Sequence, residues 1–228
     1  LVKGAYLKEE SNVPNGLAAI CAGIDGQYFA RYGNQADAMA AIAAKNHHNG
    51  CANPWAQLRK DLGYEFCRTP SDKNPLVAPP LRRTDCSLVS DGAAAIVLTD
   101  VDVASGLNKA VHYRAATKVN DYLQMSRRDM TPLVECARAW LGSFEAAGMA
   151  LEDLDLVETH DCFTIAELMQ YEAMGLTALG RGVEAALEGW TRKDGRLPVN
   201  ASGGLKAKGH PIGATGVSMH ALVAMQLC

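Results

Sequence analysis

Apolar and polar positions divide the chain into two textures. Up to about residue 85, proline and glycine recur in "SNVPNG", "CANPW" and "NPLVAPPLRR", and such breakers interrupt regular elements. One helix stands out among them, "NQADAMAAIAAKNHH", with Asn34 placed to cap it, Asp37 in its first turn and an alanine-rich interior. From Ser87 the pattern changes. "GAAAIVLTD" is a short apolar run bounded by Asp91-Gly92 and Asp100, as in a strand buried on both faces, and "AVHYRAATKV" alternates as a second strand. A helix is expected next, capped by Thr131 with Pro132 at its first position. Its apolar stripe is Leu133, Ala137, Trp140, Leu141 and Phe144, and Gly148 stops it.

The remaining third repeats the alternation. "LEDLDLVETH" predicts a strand around Leu154 to Thr159. "TIAELMQYEAMGL" predicts a helix with a Thr164/Glu167 capping box and a stop at Gly175. "RLPVN" predicts another strand, and "PIGATGVSMHALVAMQL" is apolar on nearly every face, as expected of a helix buried inside layers. Strands alternating with helices imply an α/β fold, a parallel or mixed sheet with helices on both sides. In such folds chemistry sits on loops leaving the strand ends, where His160 and His210 both fall.

Composition narrows the function classes. The 228 residues are 48% hydrophobic and 21% charged, enough apolar content for a core. A net charge of -3 with scattered lysines and arginines gives no field for nucleic acid. No apolar stretch approaches the roughly 20 residues of a membrane span, and the start lacks a secretory signal pattern, so a cytoplasmic protein is expected. Seven cysteines, an odd number with no C-x-x-C pair, argue for reduced thiols rather than a disulfide framework or a structural zinc site. No metal site is expected. The opening at Leu1 and the stop at Cys228 inside an apolar run suggest a piece of a longer polypeptide.

Two short segments carry the candidate chemistry. "VNASGGLKAKGHPIGATG", Val199 to Gly216, is glycine-rich but has His210 and Pro211 where a phosphate loop needs Lys and Ser or Thr. It also lacks the G-x-G of a dinucleotide site. What remains is a sparse backbone around one imidazole, open to close approach by a substrate. "ETHDCF", Glu158 to Phe163, lies at a strand end before a helix. There the helix dipole would favour a Cys162 thiolate, with His160 as a neighbouring donor.

"NASGGLKAKGHPIGATG" and "ETHDCF", about fifty residues apart, resemble the C-terminal half of a thiolase. The HDCF form resembles the sterol-carrier-protein thiolase branch and its bacterial acetyl-CoA acetyltransferase relatives. "SLVSDGAAAIVLTD" resembles the last strand of the family's N-terminal half, assigned to residues 87–100. Residues 1–86 resemble the loop region over the substrate, and residues 101–228 an incomplete C-terminal domain.

The resemblance implies a layered αβαβα thiolase fold and a ping-pong transfer. A cysteine nucleophile takes an acyl group from acyl-CoA, and a second acyl-CoA carbanion attacks the thioester, or thiolysis runs the reverse. It implies that His210 activates the nucleophile, His160 helps form an oxyanion hole and Cys162 moves the alpha proton. Phe163 would line the pocket, and Gly203, Gly204, Gly209 and Gly213 would let the thioester arm pass. Coenzyme A and acyl-CoA would be substrates, with no permanently bound cofactor, and the protein a homodimer or homotetramer. The resemblance also puts the nucleophile before Leu1 and a closing glycine-rich hairpin beyond Cys228.

Two other readings stay open. One is a thiolase-like subunit that binds acyl-CoA or lipid without catalysis. The other is a condensing enzyme for carrier-bound acyl groups, against which Cys162 argues. The other groups have blander readings: Cys21 resembles a nucleophile among small residues but falls in the loop region. Cys51, Cys67, Cys86 and Cys136 read as packing residues, His47 and His48 as a structural helix end, and Lys206 and Lys208 as solvated surface. "SRRD", Ser126 to Asp129, reads as a solvated helix approach.

Overall fold

The computed structural model describes residues 16–121 and 128–228; Ser126 and Arg127 of "SRRD" lie outside them. Helix α1 (Gly16–Tyr32) and helix α2 (Ala36–Gly50) are followed by the short α3 (Tyr64–Arg68) and an antiparallel pair, β1 (Leu76–Ala78) and β2 (Leu81–Arg82). After α4 (Val101–Ala104) come α5 (Val134–Ala147), α6 (Thr164–Ala173), α7 (Gly182–Leu187), α8 (Gly204–Ala207) and α9 (Thr215–Leu227).

Helix α2 forms where its alanines predict it, and the Asn34 side chain accepts from the Ala36 amide at 2.8 Å. Helix α1 was not expected. Gly23 and Gly26 lower its intrinsic helix propensity, but Ala22 and Tyr28 bury against the core formed by Met39, Ile42, Leu81, Ile165, Leu168 and Tyr171. Tertiary burial, worth about 1.5–3 kcal/mol per large side chain, outweighs the local preference.

Asp25 shares this buried face and is fully covered, with no hydrogen-bond partner for either carboxylate oxygen among the described residues. Burial pushes its carboxyl up to about 8; Asp85 adds to the rise, while Arg82 and Lys206 oppose it. The folded form therefore holds a proton that the unfolded chain, with a pKa near 3.9, has released. Stability from this group is present at low pH and falls by about 1.4 kcal/mol per pH unit between those two values. Asp25→Asn should remove that slope. Urea unfolding at pH 5 and pH 9 checks it, and an unchanged slope in the variant would contradict the assignment.

The expected strands are largely absent among the described residues. Segments 92–100 and 110–119 pair with nothing as strands, and Val97 and Leu98 are exposed. A strand's amide and carbonyl groups need a neighbouring strand, and no described segment supplies one. "LVETH" and "RLPVN" meet in one parallel bridge, Val157 to Val199, through Val157 N to Pro198 O and Asn200 N to Val157 O, both 2.8 Å.

Three helix details differ from expectation. Thr131 does not cap α5, which starts at Val134; its hydroxyl donates to Asp129 and accepts from Arg31. Gly148 does end α5, in the left-handed region at φ 65°. Thr164 and Glu167 make no capping box, because the Thr164 hydroxyl donates to Asp85 and the Glu167 carboxylate is claimed by buried partners from elsewhere. Helix α9 forms as expected, but Thr215 is its one fully buried residue: Val217, Met219, Leu222 and Val223 are half-buried, and Met225 and Leu227 are exposed.

Candidate active site

The two motifs are stitched together residue by residue. The Glu158 carboxylate accepts from Ser202 N at 2.9 Å and Ser202 Oγ at 2.6 Å. Thr159 N donates to Asn200 Oδ1 at 2.9 Å, and Leu205 N donates to Asp161 Oδ1 at 2.7 Å. Asn200 holds its turn at φ 55°, a left-handed conformation Asn tolerates. These bonds seat the HDCF turn against α8, so that His210, just beyond α8, reaches His160. The two rings meet edge to face, with centroids 5.0 Å apart.

Both the backbone and the ring of His210 are held by hydrogen bonds. Its backbone amide donates to Ser90 Oγ at 3.0 Å, and Nδ1 lies 2.7 Å from Thr215 Oγ1. The Thr215 hydroxyl also lies 3.0 Å from Pro211 O; in the tautomer whose Nδ1–H donates to Thr215, the lone pair sits on Nε2. Burial, then Lys208 and Lys206, holds His210 below the usual imidazole value. His160 keeps an exposed face, yet burial of the rest, followed by His210 and Lys208, lowers it to about 4. Both imidazoles are neutral at pH 7: one can accept a proton, the other can donate an N–H without carrying charge.

Cys162 behaves differently from expectation. It precedes α6, but burial drives its thiol up to about 11, against the lowering effect of Lys206 and of the backbone amide of Phe163. Desolvation outweighs the helix end, so the resting group is a thiol. Lys206 and Lys208 are not surface lysines: Lys206 is fully buried with Nζ donating to Asp85 O at 2.6 Å, and Lys208 Nζ donates to Ser218 Oγ at 3.0 Å. Phe163 points into the core and is 6% exposed, while its backbone bridges Cys86.

The glycines answer mainly to protein contacts. Gly203, Gly204 and Gly209 all have positive φ, and a Cβ on them would strike Gly50, the Asp161 carboxylate, and Gln57 with Ser90, respectively. Gly213 faces open space. Gly204→Ala would set its Cβ 2.3 Å from Asp161 Oδ2 at φ +57°, and should cost about 1–3 kcal/mol. Gly213→Ala should stay within about 0.5 kcal/mol. Parallel urea titrations check the pair, and equal losses would refute the Asp161 contact as the cause.

Sequence reasoning missed the residues that hold these loops. From α2, Lys45 Nζ pairs with Glu167 Oε1 at 2.8 Å and donates to Val199 O at 2.5 Å. Asn46 Nδ2 donates to Asp161 Oδ2 at 2.9 Å and Glu167 Oε2 at 2.6 Å. Asn49 and Asn53 donate to the backbone carbonyls of Asn200 and Ser202. The signal was present in "KNHHNGCAN": amides at 46, 49 and 53 recur at helical spacing on an otherwise alanine-rich segment. Burial raises the Glu167 carboxyl, but Lys45 and the hydrogen bonds around it outweigh this and hold it low.

Elsewhere, a cavity of about 1350 Å³ lies among segment 95–115, α5 and α9; none of His160, Cys162 and His210 lines it. Among the described residues no helix is long and apolar enough to cross a membrane.

Comparison with known proteins follows the same residues. The family description "Thiolase C-terminal domain-like" matches residues 116–228. Acetyl-CoA acetyltransferase of Methanothermobacter thermautotrophicus is 38% identical over 203 residues, covering 88% of this chain and 52% of that protein. Sterol carrier protein 2 of Oryctolagus cuniculus is 34% identical, covering 88% and 37% respectively. The benzoylsuccinyl-CoA thiolase subunit BbsB of Thauera aromatica is 30% identical, covering 88% and 52%. The chain thus spans about half the length, or less, of the curated relatives it matches. A solved structure titled "Ltp2-ChsH2(DUF35) aldolase" shares the fold with a TM-score of 0.76 at 20% identity, over 91% of this chain and 55% of that one. With motif order, family description and fold in agreement, this chain belongs to the thiolase superfamily.

Proposed function

We propose that the protein carrying this chain is an acyl-CoA C-acyltransferase, condensing acyl-CoA or thiolysing 3-ketoacyl-CoA through an acyl-cysteine. The observation that carries the reading is the His160–His210 pair, neutral and edge to face, with His210 Nδ1 engaged by Thr215 so that Nε2 is the nitrogen assigned as base. Nε2 would take the proton of a nucleophilic cysteine supplied outside this chain, while His160 N–H donates to the thioester oxygen as charge develops there. Cys162, a thiol at rest, suits a group that first protonates the departing CoA sulfur and then, as thiolate, takes the alpha proton.

In this reading residues 1–86 cover the substrate, 87–100 close the N-terminal half, and 101–228 form the C-terminal domain. The thioester arm passes over Gly213, which faces open space, while Gly203, Gly204 and Gly209 answer to protein contacts. Coenzyme A thioesters are substrates rather than resident cofactors, and the protein is a cytoplasmic homodimer or homotetramer in lipid metabolism. Incubating the intact protein with labelled acetyl-CoA and isolating an acetyl-enzyme tests the reading.

One observation favours a non-catalytic acyl-CoA-binding subunit. Burial raises the thiols of Cys21, Cys67, Cys86, Cys136 and Cys162 alike, so none of these is an activated nucleophile. Binding of acetyl-CoA without acetyl-enzyme formation or thiolysis would select that alternative.

A further inference from the structure

Asp161 stands between His160 and Cys162 in the chain, and its fully buried carboxylate is gripped on both sides. Oδ1 accepts from Leu205 N on α8 and Oδ2 from Asn46 Nδ2 on α2. The same Asn46 Nδ2 donates to Glu167 Oε2 on α6, while Asn46 Oδ1 is buried without a hydrogen-bond partner. The amide orientation follows, since turning it over would aim Oδ1 at two carboxylates. Asn46 is thus a neutral two-hydrogen donor wedged between two acids, and the carboxylate it steadies ties the HDCF turn to the helix that leads into His210.

We propose that Asn46 is a positioning residue for the acyl transfer: by holding Asp161 it fixes His160 against His210. It touches neither substrate nor reacting atoms in this role. Without the amide, Asp161 Oδ2 and Glu167 Oε2 would lose the donor they share, and the turn carrying His160 would lose the Asp161 bond to α2. Misplacement of about 1 Å at a reacting group costs on the order of 100-fold in rate. The inference rests on the acyltransferase reading for its kinetic consequence but not for the geometry.

The test uses the intact protein. Asn46→Ala should lower kcat for thiolysis about 100-fold and leave KM for acyl-CoA within about twofold, a split that general loosening of the fold would not give. Asn46→Asp, which places a third carboxylate in the cluster, should fall at least as far. The swap Asn46→Asp with Asp161→Asn restores a donor–acceptor pair and should recover about tenfold over Asn46→Asp. If Asn46→Ala does not fold, Asn46→Ser, which keeps one shorter donor, should still lose about tenfold in kcat. A kcat within about threefold of the parent in the folded variant, or no recovery in the swap, overturns the proposal. Should the parent show no thiolysis, the acyltransferase reading fails by itself. Imidazole 15N shifts then decide the geometry: Asn46→Ala must move those of His160 and spare the exposed His220, and an unmoved His160 overturns it.

Discussion

His210→Ala in the intact protein is expected to cut thiolysis by about 100- to 10,000-fold, the usual range for losing a positioned general base. The fold should survive. The substitution removes the hydrogen bond between Nδ1 and Thr215 Oγ1, and the Thr215 hydroxyl can still donate to Pro211 O; the backbone bond to Ser90 does not depend on the imidazole. Denaturant midpoints for the variant and its parent should therefore agree within about 1 kcal/mol. Because burial and the two lysines hold the imidazole below its ordinary value of about 6.5, the base stays unprotonated through neutral pH. The limb of kcat/KM that falls as pH drops should accordingly lie below that value. Normal turnover in the variant would remove His210 from the chemistry, and a limb above 6.5 would contradict the neutral, desolvated imidazole.

Glu167→Ala is expected to be the most damaging change to stability, about 3–5 kcal/mol, as for breaking a buried ion pair from one side. The carboxylate is fully buried and gathers Lys45, Asn46, Tyr171 and Asn200 from α2, its own helix and the turn before α8. Its removal leaves a lysine side chain that is only 8% exposed without its counter-charge. Replacing both partners, Lys45→Met with Glu167→Leu, leaves no stranded charge and should be less destabilising than Glu167→Ala alone. Urea unfolding of the three proteins measures the difference. A loss below about 1 kcal/mol in Glu167→Ala would show that the network is not what holds α2 to the loops carrying His160 and His210.

Both predictions turn on contacts between residues far apart in the chain. The motifs themselves were legible in one dimension: HDCF and GHP need only local reading, whereas the contacts that require glycine at 203, 204 and 209 reach across the chain. Helix α2 and the glycine stop of α5 were legible for the same reason, since alanine propensity and a left-handed cap act within a few residues. Helix α1 was not, because its two internal glycines argue against it and only burial of Ala22 and Tyr28 argues for it.

The same division separates the site residues. Sequence alone nominated His160, Cys162 and His210 as one constellation, because residue type and order determine which reactions are available; the structure brings the two imidazoles together. It misjudged Cys162 as a ready thiolate and Lys206 and Lys208 as surface groups, because the cost of desolvation depends on what surrounds a side chain. It also assigned strands to 92–100 and 110–119, where the apolar pattern is present but no strand among the described residues pairs with them. Tertiary structure alone decided the pairing of His210 Nδ1 with Thr215, the exclusion of Phe163 from the site surface, and the contacts of Lys45, Asn46 and Glu167. Each of these depends on which groups meet across long separations, and hydrogen bonds and dielectric act through space rather than along the chain.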